Sequence, residues 1–236
     1  MRILGLVPAR GGSKRLPGKN VRLLGGKPLI AWTLDTAHRS DCLVDVVVST
    51  DDPAIAAAAA SFGATVPGLR PHFLATDEAG SADVAIHALD VWESAQGAVD
   101  GVMLLQPTSP FRSIETIQRA VATFGDQGFH PLVGVSPAES HPAWCFSVAE
   151  QGSLQPFLAM GNTFARSQEL PAAYAVNGAM YLISPKDLRR ERSFLPAGAK
   201  ALIMDNPAET LDIDTAWDWM IAEAIVEHQL YPSVLL

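Results

Sequence analysis

Strand and helix signals alternate along the first half of the chain, and this alternation limits the possible folds more than any other feature. Short runs rich in Val, Ile and Leu predict buried strands at 3–7, 44–49 and 102–105, with a short extra strand at 64–66. Between them, Pro28 and Pro53 are placed to open helices, and Ser81 and Ser113 to cap two more. The pattern predicts an α/β fold with a mostly parallel sheet covered on both faces.

The pattern changes between about 130 and 200. Short predicted strands separated by Pro and Gly lie there at 132–136, 144–148 and 179–183. We interpret about 138–196 as a small antiparallel insertion that serves as a dimerisation arm. After it, 201–204 is predicted to return to the sheet and 215–228 to form a last helix. The helical spacing of apolar residues in that helix predicts a stripe of Trp217, Met220, Ile221, Ala224 and Ile225.

Composition sets further bounds. The 236 residues, 48% of them apolar, are enough for one α/β domain with a proper core. The net charge of −8 argues against general nucleic-acid binding. The first apolar segment is too short for a secretory signal or a membrane span. Cys42 and Cys145 lack metal-type spacing and are expected to be buried thiols in a reducing compartment. We therefore expect a cytoplasmic protein without membrane or nucleic-acid partners.

One basic loop stands out against the acidic background. Seven basic residues precede the first acidic residue, Asp35: Arg2, Arg10, Lys14, Arg15, Lys19, Arg22 and Lys27. The loop 8–20 follows the first predicted strand, and its glycines would let backbone N–H groups approach an anion closely. Arg10, Lys14 and Lys19 are placed to neutralise a triphosphate. The spacings of a P-loop and of a dinucleotide-binding turn are both absent, and the alternative is a solvated basic turn.

Two aspartates late in the chain suggest a magnesium site. Asp212 and Asp214 are two residues apart, so in an extended segment their side chains point to the same side. Mg²⁺ favours carboxylate and phosphate oxygens. The alternative is that Asp214 caps the last predicted helix.

Further polar residues follow the predicted strands, at the sheet edge where α/β proteins bind ligands. Gln106 follows the strand at 102–105, and Arg70 precedes Pro71 in a loop. Each has a structural alternative: Gln106 would bond loop backbone, and Arg70 would pair with Asp51 or Asp77. Ser81 could be only a helix cap.

Together these segments resemble the acylneuraminate cytidylyltransferases and, more distantly, the KDO cytidylyltransferases. The resemblance is carried by the loop 8–20 and by Ser49-Thr50-Asp51-Asp52, Leu69-Arg70-Pro71, Leu74-Ala75-Thr76-Asp77, Gln106-Pro107-Thr108-Ser109-Pro110-Phe111-Arg112, Asn177-Gly178-Ala179-Met180-Tyr181 and Leu211-Asp212-Ile213-Asp214. It implies a Rossmann-like nucleotide-diphospho-sugar transferase fold in a single domain over 1–236. It also implies a homodimer that uses CTP and Mg²⁺ to convert a 2-keto-3-deoxy sugar acid into its CMP derivative and pyrophosphate, as in cell-surface glycan biosynthesis.

The resemblance also implies roles for individual residues. The catalytic set is Arg10, Lys14, Lys19 and Asp214. The nucleotide-binding set is Ala9, Arg10, Gly11, Gly12, Ser13, Asn20, Arg70 and Ser81. The acceptor-binding set is Gln106, Arg166, Gln168, Asn177 and Tyr181. The magnesium ligands are Asp212 and Asp214.

The acceptor half departs from the family pattern. The family usually carries a doubled Arg where this chain has Arg166-Ser167, and an Arg near Ala175-Val176. Fewer bidentate donors would change carboxylate recognition. We therefore expect a pseudaminic- or legionaminic-type nine-carbon acid instead of ordinary sialic acid, held partly by Arg166. The alternatives are GTP as the nucleotide, an eight-carbon KDO-type acid, or a non-catalytic nucleotide-binding partner in glycan biosynthesis.

Overall fold

The computed structural model describes residues 1–158 and 166–231. In chain order the elements are β1 (Ile3–Pro8), β2 (Leu23–Leu24), β3 (Lys27–Pro28), α1 (Leu29–Arg39), β4 (Asp45–Ser49), α2 (Pro53–Ser61), α3 (Ser81–Gln96), β5 (Gly101–Leu104), α4 (Ile114–Asp126), β6 (Leu132–Pro137), β7 (Phe146–Val148), β8 (Leu154–Pro156), β9 (Tyr174–Ile183), α5 (Pro185–Glu191), β10 (Lys200–Ile203) and α6 (Ala216–Glu227).

Six of the strands form one mixed sheet in the order β10-β6-β9-β5-β1-β4. β4, β1 and β5 run parallel to one another, and β10 runs parallel to β6. Only β9 is antiparallel to both of its neighbours, β5 and β6. The predicted α/β fold with a mostly parallel sheet is confirmed.

Side chains of the central strands alternate between two buried clusters. Ile3, Val7 and Met103 face the cluster covered by α1, α2 and α4. Leu4 and Leu104 face the opposite cluster, which α3 and α5 cover. This two-residue alternation, buried on both sides, explains why the strands are apolar throughout. A third cluster lies beneath α6.

The prediction of a separate antiparallel insertion is wrong for the strand predicted at its carboxyl end. The segment predicted at 179–183 belongs to β9, which lies inside the central sheet. Within the described part of the predicted insertion, β7 and β8 form an antiparallel hairpin that is separate from the central sheet. This hairpin leaves the sheet between β6 and β9, which are paired neighbours. The N–H of Ala138 donates to the carbonyl of Ala173 at 2.9 Å, so both ends of the excursion lie side by side.

Several local predictions need correction. The segment 64–66 makes only an isolated parallel bridge, between Val47 and Thr65. The N-cap of α3 is Gly80, and Ser81 is the first helical residue and makes no capping hydrogen bond. Cys145 is exposed instead of buried. By contrast, Ser113 caps α4 as predicted, accepting a hydrogen bond from the N–H of Thr116.

Most of the apolar stripe predicted for the last helix faces solvent, although Ile225 packs against the cluster beneath the helix. Trp217 and Met220 are 68% and 60% exposed, whereas Trp219 and Ala222 are buried in the cluster beneath α6. Thr215 caps this helix in a reciprocal capping box with Asp218. α6 thus starts at a position that turns Trp219 inward, where its ring lies 4.3 Å from the Arg22 guanidinium. Within the described residues, no helix is long and apolar enough to cross a membrane.

Candidate active site

The basic loop and the paired aspartates meet in one cleft at the carboxyl ends of the parallel strands. A cavity of about 470 Å³ is lined by Pro8, Arg10, Ser13, Lys14, Arg15, Lys19, Asn20, Gln106, Pro107, Thr108, Asp212 and Asp214. The strands β1 and β5 end at this cavity, as expected for ligand sites of α/β sheets. Two segments far apart in sequence therefore place cations and carboxylates around the same space.

The loop after β1 is shaped by the segment after β4. The N–H of Gly11 donates to Asp51 at 3.1 Å, and a Cβ at Gly11 would lie 2.6 Å from a carboxylate oxygen of Asp52. Asn20 closes the loop by donating from its side chain to the carbonyl of Arg10 at 3.0 Å. The N–H of Gly11 is therefore occupied by a carboxylate of the protein itself, and close packing explains this glycine. Gly12 faces open space.

Lys19 and Asp214 form the most enclosed ion pair of the cleft. Lys19 is buried and its Nζ donates to the carbonyl of Ile213 at 2.6 Å and to Asp214 at 3.1 Å. Arg15 contacts the other oxygen of Asp214 at 2.6 Å. The alternative role of Asp214 as a helix cap is wrong, because Thr215 caps α6. The carboxylate of Asp214 faces the cations of the cleft.

Arg10 and Lys14 share a different carboxylate, that of Asp77. Nη1 of Arg10 lies 2.7 Å from one oxygen of Asp77, and Nζ of Lys14 contacts the other. Hydrogen bonds from Lys14 and then Arg10 lower the pKa of Asp77 below its usual value. Sequence reasoning missed this pairing, although Asp77 belongs to a segment shared with the resembling family.

Arg70 is buried behind the cleft and held by the end of β4. Its guanidinium donates to the hydroxyl and carbonyl of Ser49 and to the carbonyl of Leu74. The predicted alternative, an ion pair with Asp51 or Asp77, is absent from the ion pairs of the described residues. Burial lowers the pKa of Arg70, which the nearby Asp51 opposes. Together with Ser81, Arg70 lines a polar cavity of about 240 Å³ that borders the basic loop.

A second large cavity lies on the other side of Gln106. It measures about 750 Å³ and is lined by Gln106, Ser136, Pro137, Ala138, Glu139, Ser140, Ala175, Val176, Asn177, Gly178, Tyr181, Met204, Asp205, Pro207, Thr210 and Asp212. A Cβ at Gly178, whose φ is +73°, would lie 2.9 Å from the side-chain oxygen of Gln106. None of these described lining residues is basic, so the lining of this cavity supplies no cation for an acidic acceptor.

The predicted acceptor residues are thus only partly brought together. Gln106, Asn177 and Tyr181 line the second cavity, but the side-chain oxygen of Asn177 accepts from the N–H of Ala179 at 3.1 Å within β9. Arg166 and Gln168 are exposed and line neither of the two large cavities. Ala9 is buried in the core, and its N–H donates to the carbonyl of Ser49 at 2.9 Å, so this residue offers a nucleotide neither its side chain nor its N–H.

Asp212 lies between the two large cavities and borders both. Although its side chain remains exposed, shielding by the cleft walls raises the pKa of its carboxyl, and the charge of Asp214 adds to this. A hydrogen bond with Thr108 and the charge of Lys19 oppose the shift. Burial raises the pKa of Tyr181, and the charge of Asp212 contributes. Asp212 and Tyr181 are therefore electrostatically coupled, and Asp212 lies in the wall that the two cavities share.

Two buried residues that sequence reasoning missed hold the cleft walls together. Arg112 is fully buried and donates to the carbonyls of Ala179 and Gln106. Burial lowers its pKa to about 10, opposed by Glu209. Glu209 accepts from the N–H of Ser113 at 2.6 Å and from the hydroxyl of Thr116 at 2.8 Å. Glu209 thereby links the segment leading to Asp212 with the start of α4.

The paired aspartates are carboxylates of the type that magnesium binds. No group of three or more His, Cys, Asp or Glu side chains able to hold a metal occurs within residues 1–158 and 166–231. Mg²⁺ is usually held by one or two carboxylates together with substrate phosphates. Asp212 and Asp214 supply two carboxylates on the wall of one cavity, opposite cations suited to phosphates.

Comparison with known proteins agrees with this geometry. Residues 4–210 match the family model described as Cytidylyltransferase. The CMP-N,N'-diacetyllegionaminic acid synthase of Legionella pneumophila is 43% identical, covering 96% of this chain and 97% of its own length. The pseudaminic acid cytidylyltransferase of Campylobacter jejuni is 31% identical over 97% of this chain and 99% of its own. The N-acylneuraminate cytidylyltransferase of Escherichia coli is 32% identical over 97% of this chain, which spans about half (53%) of that relative.

Solved structures share the fold at low sequence identity. A CMP:2-keto-3-deoxy-manno-octonic acid synthetase complexed with CTP superposes with a TM-score of 0.70 at 17% identity, covering 97% of this chain and all of the other. The 4-diphosphocytidyl-2C-methyl-D-erythritol synthase of Anaerococcus prevotii has a TM-score of 0.61 at 14% identity, with 96% and 98% covered. The predicted Rossmann-like nucleotidyltransferase fold is confirmed, and the chain belongs to the cytidylyltransferase family.

Proposed function

We propose that this protein transfers CMP from CTP to the anomeric hydroxyl of a nonulosonic acid. The hydroxyl oxygen would bond to the α-phosphorus, the bond from that phosphorus to the β-phosphate oxygen would break, and pyrophosphate would leave. The hydroxyl proton passes to solvent or a neighbouring base. The carrying observation is the shared cleft in which Arg10, Lys14 and Lys19 face Asp212 and Asp214. Curated relatives of nearly equal length with CMP-sugar synthase names support the same reaction.

The cleft residues are suited to positioning and charge neutralisation, which phosphoryl transfer mainly requires. Arg10, Lys14 and Lys19 would bind the triphosphate and the departing pyrophosphate. The cavity beside Arg70 and Ser81 would hold the cytidine, since a guanidinium and a hydroxyl suit the polar edge of a base. Asp212 and Asp214 would hold Mg²⁺, which offsets charge on the phosphates when bound.

The acceptor is best matched by a legionaminic-type acid. The relative named for N,N'-diacetyllegionaminic acid is 43% identical, compared with 32% and 31% for those named for acylneuraminic and pseudaminic acids. Gln106 and Tyr181 would contact the sugar in the second cavity. Nonulosonic acids carry a carboxylate, and the described lining of this cavity supplies no basic side chain for it.

We also propose that a second copy of the chain completes the site. The β7–β8 hairpin exposes an apolar surface that includes Phe146, Val148, Leu154 and Phe157, and exposed apolar patches commonly mark interfaces. A homodimer formed through this arm would let Arg166 and Gln168, which line neither large cavity of their own protomer, reach the acceptor cavity of the partner. A CTP-dependent biosynthetic reaction is consistent with a cytoplasmic enzyme.

Measurement of pyrophosphate release tests the reaction. We expect release only when CTP is combined with a nonulosonic acid and Mg²⁺, and most rapidly with N,N'-diacetyllegionaminic acid among legionaminic, pseudaminic, N-acetylneuraminic and KDO acceptors. Lys19→Ala should lower kcat/KM by about two to three orders of magnitude. The control Lys186→Ala removes an exposed charge on α5 and should leave the rate unchanged.

Two outcomes would contradict the proposal. Faster pyrophosphate release with GTP than with CTP would show that GTP is the nucleotide substrate. Nucleotide binding without pyrophosphate release for any acceptor would support the non-catalytic alternative.

A further inference from the structure

The carboxylate of Asp77, which is outside the proposed catalytic set, pairs with two of the cations that we propose bind the triphosphate. Asp77 lies in the loop before α3, opposite the basic loop. Arg10 contacts one of its oxygens at 2.7 Å, and Lys14 contacts the other. Both oxygens are therefore used, each by a different cation. Without a nucleotide, Arg10 and Lys14 are already neutralised by the protein's own anion.

The exposure of these groups indicates that the contact is exchangeable. The side chains of Arg10, Asp77 and Lys14 are 37%, 47% and 78% exposed. Exposed ion pairs of this kind contribute little free energy, because water competes for both partners. A polyphosphate carries several charges and more acceptor oxygens than one carboxylate, so it can replace Asp77 on both cations. In contrast, the side chain of Lys19, which pairs with Asp214, is only 9% exposed.

Asp77 also belongs to the proposed base-binding cavity. The lining of that cavity includes Arg10, Arg70, Thr76, Asp77 and Ser81. Release of Asp77 from the basic loop would therefore occur beside the site where cytidine is proposed to bind. The same short loop faces both the base and the polyphosphate.

We propose that Asp77 is a displaceable internal anion that competes with the polyphosphate for Arg10 and Lys14. It holds these side chains in the nucleotide-free protein, gives them up when CTP binds, and takes them back as pyrophosphate leaves. Asp77 thus lowers the affinity for CTP and for pyrophosphate and favours product release. This inference rests on the proposed function, because it takes Arg10 and Lys14 as the polyphosphate-binding cations.

Calorimetric titration of the whole protein with pyrophosphate, CTP and cytidine tests this role. We expect Asp77→Asn to lower the Kd for pyrophosphate and for CTP by about three- to tenfold, the change that corresponds to the loss of one or two exposed ion pairs. Cytidine carries no phosphate, so its Kd should change by less than about twofold. Inhibition of turnover by pyrophosphate should become stronger by the same factor.

Two matched variants distinguish competition by the Asp77 carboxylate from a general effect of removing one negative charge. Glu78→Gln removes the same charge from the exposed neighbouring residue and should change each Kd by less than about twofold. Asp77→Glu keeps the carboxylate and should stay closer to wild type than Asp77→Asn.

The results distinguish this inference from the proposed function. Wild-type protein that binds neither CTP nor pyrophosphate would overturn both. Wild-type protein that binds them, with Asp77→Asn binding pyrophosphate no more tightly than Glu78→Gln, would overturn the role of Asp77 alone. Equal weakening of cytidine and CTP in Asp77→Asn would also overturn it, because Asp77 would then only shape the base pocket.

Discussion

Asp212 combines a functional position with an environment that disfavours its charge. It borders both large cavities, and desolvation together with Asp214 raises the pKa of its carboxyl. A carboxyl whose pKa is raised by folding binds its proton more tightly in the folded chain than in the unfolded chain. The free energy of unfolding therefore falls as the pH rises from the unfolded-state pKa to the folded-state pKa.

Replacement of this carboxylate should stabilise the protein at neutral pH. We expect Asp212→Asn to raise Tm at pH 8 by a few degrees at most, since 1 kcal/mol corresponds to about 2–4 °C in a chain of this size. The difference should shrink as the pH falls below the unfolded-state pKa of the aspartate, where the wild-type carboxyl is protonated in both states. Thermal unfolding followed by circular dichroism measures this, with Glu150→Gln in an exposed turn as the control. A Tm difference between Asp212→Asn and the wild type that does not vary with pH would show that the raised pKa of this carboxyl is not its cause.

At the scale of elements, the cleft depends on contacts between segments that are distant in sequence. Arg112 connects the loop after β5 to β9, and Glu209 connects the segment before Asp212 to the start of α4. The N–H of Ile213 also donates to the carbonyl of Thr108 at 2.8 Å. These contacts hold the loop after β5 against the segment that carries Asp212, so that Gln106 and Asp212 line the same cavities.

Loss of the Glu209 contacts should cost considerable stability. Glu209→Ala leaves the N–H of Ser113 and the hydroxyl of Thr116 without their buried acceptor and leaves Arg112 without a nearby negative charge. We expect a loss of about 3 kcal/mol in the free energy of unfolding, measured by urea denaturation. Glu209→Gln retains an acceptor oxygen and should lose about half as much. Equal losses in the two variants would show that the charge alone matters.

Local sequence patterns predicted most helices and strands, but they did not predict every strand pairing or which face of each helix is buried. β1, β4, α2 and α4 were predictable because buried apolar runs, Pro at a helix start and a Ser cap act over a few residues. β9 was misplaced because nothing within 174–183 reveals that it pairs with both β5 and β6. In α6 apolar residues occupy several faces, and the capping box, not the apolar spacing, sets which of them are buried.

The same distinction holds for the cleft. Its location was predictable, since the basic loop and Gln106 follow parallel strands whose ends share one edge. The partners of its side chains were not, because Asp77, Arg112 and Glu209 act through tertiary contacts that the local sequence does not encode.

For the whole molecule, the proposed dimer is the main structural prediction. Val148 and Leu154 are cross-strand partners in the β7–β8 hairpin and are 68% and 65% exposed. We expect Val148→Asp with Leu154→Asp to convert a dimer into a monomer in light-scattering measurements, since two buried charges would face the partner. Met220→Asp tests a second exposed apolar surface, on α6, and should leave the dimer intact. Dissociation by Met220→Asp alone would place the interface on α6.

Mixed dimers test whether Arg166 acts across the interface. Lys19→Ala and Arg166→Ala should each reduce turnover strongly as pure proteins. In a mixed dimer, the Arg166→Ala protomer keeps its own Lys19 and receives Arg166 from its partner. Turnover should therefore recover to about half of the wild-type rate per mixed dimer, because one of its two sites is whole. No recovery on mixing would show that Arg166 serves its own protomer.

The side-by-side ends of the hairpin excursion have an evolutionary consequence. Because residues 138 and 173 are joined by a backbone hydrogen bond between paired strands, the intervening segment can lengthen, shorten or be exchanged without shifting the register of the sheet. In the proposed dimer, changes in this segment would alter which surfaces of the two subunits meet and which side chains reach the partner, while the sheet edge that faces the cleft would keep its geometry. Acceptor preference would then diversify through this segment without a change in the residues of the cleft.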